Sequence, residues 1–304
     1  MTSISKTPES NWFYSLWKFS RPHTIIGTTL SVLGIYFITR GIHNQTISPI
    51  SLIGAWVACI LGNIYIVGLN QLEDIEIDKI NKPHLPLAAG EYSIPTGKSI
   101  VATCGILALL IAFFQSPYLL GMVGISLLIG TAYSLPPIRF KRFPLLAAIC
   151  IFSVRGAIVN LGLYLHYNWT IQQPPTIPAT IWIITLFVLI FTIAIAIFKD
   201  IPDMEGDAQY NIATLSLKLG KETVFKLSLW IITTCYLGII ITGNLQPNLN
   251  HIFLTVTHLI PLIWMWQKSR KIDLESKAEI TNFYQFIWKL FFLEYLVFPI
   301  ATLT

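Results

Sequence analysis

Residues 70–91 read Asn70-Gln-Leu-Glu-Asp-Ile-Glu-Ile-Asp-Lys-Ile-Asn-Lys-Pro-His-Leu-Pro-Leu-Ala-Ala-Gly-Glu91. Asn70, Asp74 and Asp78 recur every fourth residue. On a helix each such step advances about 400°, so the spacing predicts one polar stripe. Two carboxylates and an amide on one face make an oxygen-rich site. Such a set suits Mg²⁺, a hard cation commonly held by one or two carboxylates together with substrate phosphates. The stretch directly follows the apolar run 50–69, which is long enough to cross a bilayer. The stripe is therefore expected at the mouth of a membrane helix.

The whole chain supports that setting. Of 304 residues, 54% are hydrophobic and 12% charged, where a soluble domain carries about 25% charged residues. Mean hydropathy is +0.65. An all-α integral membrane protein is expected, with one polytopic domain over 1–304 and a short N-terminal segment, 1–20, outside the membrane. Cys59, Cys104, Cys150 and Cys235 all fall inside apolar runs without metal-ligand spacing, and read as packed thiols. His251 and His258 are not read as a metal pair. No small-x-small site closes the first apolar run, so it reads as a retained helix and not a cleaved signal. The lack of a long Ser/Arg-rich leader suggests a prokaryotic protein or a mature organelle form.

Hydropathy predicts nine spans, near 23–40, 50–69, 97–114, 117–133, 144–166, 179–198, 222–242, 250–266 and 283–303. Within 97–133 only Gln115-Ser-Pro117 separates two helices. Basic residues test the count. Seventeen of the twenty Lys and Arg lie in the N-terminal segment, in alternate loops or just inside the span ends that flank them. The intervening loops hold only Arg40, while Arg155 and Lys289 lie within spans. That asymmetry places the N-terminus and the charged loops on the cytoplasmic side. The positive charge is thus loop charge, and nothing points to nucleic acid.

Eight of the fifteen acidic residues fall in two windows. Glu73, Asp74, Glu76 and Asp78 form one; Asp200, Asp203, Glu205 and Asp207 form the other. Asp74 and Asp203 are 129 positions apart, as are Asp78 and Asp207, which suggests two related helical units facing each other. Pro202 and Gly206 predict a broken helix or turn in the second window. Two acidic clusters across a bundle could hold two or more Mg²⁺ ions and neutralise a departing diphosphate. Lys82, Arg139, Lys141 and Lys199 lie on the same side and could contact phosphate oxygens. The loop Ala132-Tyr-Ser-Leu-Pro-Pro-Ile-Arg-Phe-Lys-Arg142 reads either as a positive anchor or as a lid carrying Tyr133. Arg155, with Asn160 five residues on, is costly inside an apolar helix, and would meet an anionic substrate group or pair with an inner carboxylate. Lys289 is expected to snorkel or to pair with Glu294.

Asn70-x-x-x-Asp74-x-x-x-Asp78 and Asp203-x-x-x-Asp207 resemble the two aspartate-rich motifs of the UbiA superfamily of intramembrane prenyltransferases. The run Asn81-Lys-Pro-x-Leu-Pro-Leu87, with Phe198-Lys-Asp-Ile-Pro-Asp-Met-Glu-Gly-Asp207, is similar to the homogentisate-prenylating branch in its cyanobacterial form. Phe19-Ser-Arg-Pro-His-Thr24 and Phe283-Tyr-Gln-Phe-Ile-Trp-Lys-Leu-Phe-Phe-Leu-Glu-Tyr295 fit the same branch. The resemblance implies a bundle around a central prenyl-diphosphate cavity, in a thylakoid or plasma membrane. It implies Mg²⁺ on Asn70, Asp74, Asp78, Asp203 and Asp207. It implies diphosphate contacts from Arg139 or Lys141 with Tyr133, assisted by Lys82 and Lys199. Phytyl diphosphate is the implied donor and homogentisate the acceptor, with Arg21 and Arg155 candidates for its carboxylate by charge, and Asn160 beside them. Geranylgeranyl or solanesyl diphosphate, or another aromatic acceptor, is the alternative. An ion transporter is the competing class, but it would need acids near mid-span, and none is read there.

Overall fold

The computed structural model describes residues 11–209, 214–247 and 249–304; Lys6 and the start of the N-terminal segment lie outside them. Among the described residues every regular element is helical. A short helix α1 (Trp12–Phe19) precedes α2 (Pro22–His43), α3 (Pro49–Glu73) and the short α4 (Ile75–Asn81). Then come α5 (Ile94–Gln115), α6 (Pro117–Ser134) and α7 (Pro144–Phe152). A π-helical turn, Ser153–Ile158, joins α7 to α8 (Val159–Thr170), so the two run on as one segment. The remainder is α9 (Ala179–Phe198), α10 (Asp200–Gln209), α11 (Leu215–Leu219), α12 (Lys221–Asn244), α13 (His251–Ser269) and α14 (Lys277–Leu303).

The helix starts follow from side-chain chemistry. Ser48, Ser93, Ser116, Asn250 and Ser276 each accept a hydrogen bond from a backbone N–H in the first turn of the helix they precede. Proline opens α2, α3, α6 and α7, where its missing N–H has no partner to lose. The expected division at Gln115-Ser-Pro117 is there, with Ser116 as a one-residue hinge. Its Oγ lies 2.8 Å from Nδ1 of His166.

Among the described residues eight segments are long and apolar enough to cross a membrane. The ninth expected span is α13, 19 residues long but with polar ends, packed between α12 and α14. Consecutive long helices touch, and α14 returns to pack on α2, so the bundle closes as a ring. Large side chains such as Ile50, Leu128 and Ile252 point outward, as a lipid-facing surface requires. The chain is an integral, multi-pass membrane protein. On α1, Trp12, Phe13, Tyr14 and Trp17 are exposed, a composition suited to the headgroup level. Lys18 and Ser15 of that helix both bond Glu91.

The structure changes three expectations. First, the Asn70–Asp74–Asp78 stripe is not on one helix. α3 ends at Glu73 and Asp74 takes non-helical angles (φ −117°, ψ 20°) before α4 begins. Second, the Asp203 window is unbroken helix. Pro202 sits in the first turn of α10, where no N–H is needed. Gly206 is required for another reason: a Cβ there would lie 2.2 Å from Asn81 Oδ1. Third, an acid does lie well inside a membrane helix. Glu294 of α14 is buried, with Oε2 2.8 Å from His258 Nε2 of α13. Of the two readings of Lys289, the structure leaves the snorkelling one, since the side chain is exposed and Glu294 pairs with His258.

Candidate active site

Because the long helices alternate in direction, the ends of α3, α6 and α9 meet the starts of α2, α7 and α14. Helices α4 and α10 pack on each other across that end, so the two acidic windows do face one another. Asn81 fastens them. Its Nδ2 donates to Asp207 Oδ1 at 3.5 Å, and its Oδ1 accepts from Gly206 N–H at 3.2 Å. Beneath them opens a cavity of about 1000 Å³ that runs into the apolar bundle. Asn70, Asp74, Asp78, Asp203 and Asp207 all line it. So do Tyr133, Lys82, Arg139, Lys141, Lys199, Arg21 and Arg155. Asn160 is not brought there. It is fully buried, with Nδ2 donating to Gly156 O at 2.8 Å and Oδ1 accepting from Tyr295 Oη at 2.8 Å.

Each carboxylate has a cation or amide on it. Asp74 accepts from Asn70 Nδ2 at 3.0 Å, and its other oxygen faces Arg139 Nη2 at 3.2 Å and Lys141 Nζ at 2.6 Å. The helix break at Asp74 turns this carboxylate to the 132–142 loop, whose two cations it captures. Lys82 Nζ donates to Asp203 Oδ2 at 2.6 Å. Lys199 pairs with Asp200 at 3.2 Å, and that attraction holds its ammonium well above the usual lysine range. Arg21 donates to Asn70 Oδ1 at 3.1 Å and lies 3.9 Å from Asp78. Arg21 and Arg139 both sit at positive φ, 54° and 42°. Strain of this kind is sustained where surrounding contacts fix a side chain.

The acid set is out of electrical balance. Asp78 is buried, and burial raises its carboxyl above the usual range although Arg21 and Lys82 oppose this. Its Oδ2 accepts no hydrogen bond. Asp207 is pushed up to about 6, by burial first and then by Asp203 and Asp200. Burial lowers Lys141 against the pull of Asp74. A divalent cation among these carboxylates would relieve both shifts. Among the described residues no three His, Cys, Asp or Glu side chains converge as a ready-made cage. Mg²⁺ is commonly held by one or two carboxylates, with water and phosphate oxygens as its other ligands.

Deeper in the cavity Arg155 meets no carboxylate among the described residues. Its guanidinium carbon lies 5.0 Å from the Trp288 ring centre and 5.8 Å from that of Phe291. His23 stands against the same indole, ring centres 4.9 Å apart. Beyond, the wall is apolar and small: Ala58, Cys59, Gly62, Val123, Ala148 and Ile151. Sequence reasoning missed Asn81, His23, Tyr284 and Trp288 as wall residues. Asn81 stands one helical turn after Asp78, a usable signal. The aromatic pair was hidden among 39 Phe, Tyr and Trp residues.

The profile of the UbiA prenyltransferase family matches residues 28–290. The chain is 57% identical to a homogentisate phytyltransferase of Synechocystis sp., over 94% of this chain and 95% of that one. It is 42% identical to homogentisate phytyltransferase 1 of Arabidopsis thaliana, over 94% of this chain and 74% of that one. A UbiA homolog from Archaeoglobus fulgidus, solved bound to GPP and Mg²⁺, superposes with a TM-score of 0.67 at 16% identity, covering 95% of this chain and 99% of that one. With that fold, and with both acidic windows at one end of the bundle over a cavity that narrows to apolar walls, the chain belongs to the UbiA prenyltransferase family.

Proposed function

We propose that this chain transfers the phytyl group of phytyl diphosphate to homogentisate, with loss of CO₂, giving 2-methyl-6-phytylhydroquinone in tocopherol (vitamin E) biosynthesis. One observation carries the reading: acids from α4 and α10, and the cations named above from five separate segments, line one cavity whose far end is apolar. A charged head and a hydrocarbon tail are the two halves of a prenyl diphosphate. The names of the relatives in cyanobacteria and chloroplasts supply the acceptor.

Asn70, Asp74, Asp78, Asp203 and Asp207 are the residues that would hold Mg²⁺. Bound there with the diphosphate, the metal supplies charge neutralisation of the leaving group. Arg139, Lys141 and Lys82 now rest on Asp74 and Asp203. They turn to phosphate oxygens once those carboxylates are otherwise engaged. Tyr133, at the end of α6, presents its ring to the allylic cation. Arg155 takes the homogentisate carboxylate, and Arg21 is the second candidate. The closed ring of helices excludes water, which would quench the cation. The excess of positive charge in alternate loops supports a site and N-terminus on the cytoplasmic side, in a thylakoid or plasma membrane of cyanobacterial type. Residues 1–304 act as one unit in this reading. An ion path is disfavoured, because the mid-helix acid Glu294 is closed off by His258.

The test is prenyl transfer by purified protein with homogentisate, Mg²⁺ and either phytyl or geranylgeranyl diphosphate, with Asp74→Ala as the blank. A decarboxylated phytyl product that requires Mg²⁺ and vanishes in the blank is expected. Prenylation of another aromatic acid while homogentisate is ignored would defeat the acceptor assignment. A higher kcat/KM with geranylgeranyl diphosphate would replace the donor.

A further inference from the structure

The overall reaction proposed above contains a proton transfer that none of the residues so far assigned performs. The bond from the allylic carbon to the diphosphate oxygen breaks, and its electron pair leaves with the diphosphate. Ring π electrons of the hydroquinone form the new C–C bond. The attacked ring carbon must then lose its proton to restore aromaticity. The bond from the benzylic carbon to the carboxylate carbon also breaks, and CO₂ leaves. The electron pair left on the benzylic carbon must take up one proton to become a methyl group. One proton is released and one is consumed, so a single group can carry it from the first carbon to the second, with no oxidant or reductant.

We infer that His23 is that group: a catalytic base, then acid, facing the acceptor ring. This rests on the homogentisate reading. His23 lines the cavity and lies in the first turn of α2, two residues beyond Arg21. Its imidazole packs on Trp288, the same indole that carries the Arg155 guanidinium. Among the described residues neither of its ring nitrogens has a hydrogen-bonding partner. Two other side chains with ring nitrogens line the cavity: Trp288, which can only donate, and His84, which lies toward Lys18 and Lys82 at the acidic end and not against the indole that carries Arg155. The charged groups around His23 are Arg21 and Lys82 toward the acidic end and Arg155 beside it, and none of these is a base at neutral pH. The aspartates of the site lie at the other end, held by cations or, for Asp207, by the Asn81 amide. A histidine that lines the cavity with both nitrogens open and an anchored arginine alongside is placed to accept and return one proton.

The experiment uses full-length protein in lipid nanodiscs with homogentisate, phytyl diphosphate and Mg²⁺. His23→Gln is expected to lower kcat about 100-fold or more. KM for homogentisate and Mg²⁺-dependent binding of phytyl diphosphate should stay within about threefold, since the residue acts on the chemical step. His23→Gly should show the same loss, and added imidazole should restore kcat by about tenfold or more, which a packing role would not allow. Retention of wild-type kcat by His23→Gln overturns the inference. So does loss without imidazole rescue, which would mark His23 as structural. If wild type prenylates another aromatic acid and ignores homogentisate, the acceptor assignment itself falls, and this inference with it.

Discussion

At the scale of single residues, Asp207 gives the site a pH signature. Its carboxyl is held near 6 by burial and by Asp203 and Asp200. The protonated form cannot bind a cation. In the proposed metal site, Mg²⁺ would have to displace a proton from Asp207 below about pH 6, so its apparent affinity is expected to fall as pH drops, by up to about tenfold per unit. Above that point the carboxylate is already charged and the dependence on this group disappears. Mg²⁺ titrations of activity at pH 5.5 and 7.5 check this; equal half-saturation at both would remove Asp207 from the metal. That these acids gather on one cavity was legible from spacing. Their environment was not, because the shift at Asp207 depends on what faces it. Arg155 shows the same limit. Its cost in an apolar helix was readable, but its indole partner lies 133 positions away in the chain, on another helix.

At the scale of elements, the decisive contact is α4 on α10. Gly206 lets the Asn81 amide reach both its own N–H and Asp207. Gly206→Ala puts a methyl where the amide now sits and separates the two acidic helices. Activity is expected to fall about 10- to 100-fold, as for a small misplacement of reacting groups. The thermal midpoint should change little, because α4 and α10 are held here by polar contacts and few apolar ones are lost. Full activity in the variant would show that α4 and α10 need not be fastened. The 129-residue repeat foretold that these windows face each other. Four-residue spacing alone could not foretell the break at Asp74, since a helix and a helix with one non-helical residue keep similar side-chain periodicity over so short a run. Pro202 misled in the opposite direction, because a proline breaks a helix only beyond its first turn.

At the scale of the molecule, the ring is closed by α14 against α2, and α13 is joined to α14 through His258 and Glu294. Both side chains are almost wholly buried, so removing one leaves the other uncompensated. His258→Ala is expected to cost about 3–5 kcal/mol, read as a lower thermal midpoint in detergent at pH 7 with residual activity at low temperature. An unchanged midpoint would show that the pair adds nothing to closure. The order of the long helices was legible from hydropathy, and their number to within one, since α13 falls short of a full apolar span. Ring closure was not, since it joins the first membrane helix to the last.

The cavity also has a thin side. On α7, Leu145, Leu146 and Ile149 are exposed while Ala147, Ala148, Cys150 and Ile151 face the cavity, so one layer of side chains parts it from lipid. A hydrocarbon tail that crosses such a layer exchanges with the bilayer and not with water. What the enzyme senses is then the donor's mole fraction in the membrane, not its molarity. At fixed protein and donor below saturation, doubling the lipid should halve the rate, while doubling the aqueous volume should leave it unchanged. Surface dilution, a behaviour of enzymes that draw substrate from a two-dimensional solvent, follows from a wall one helix thick.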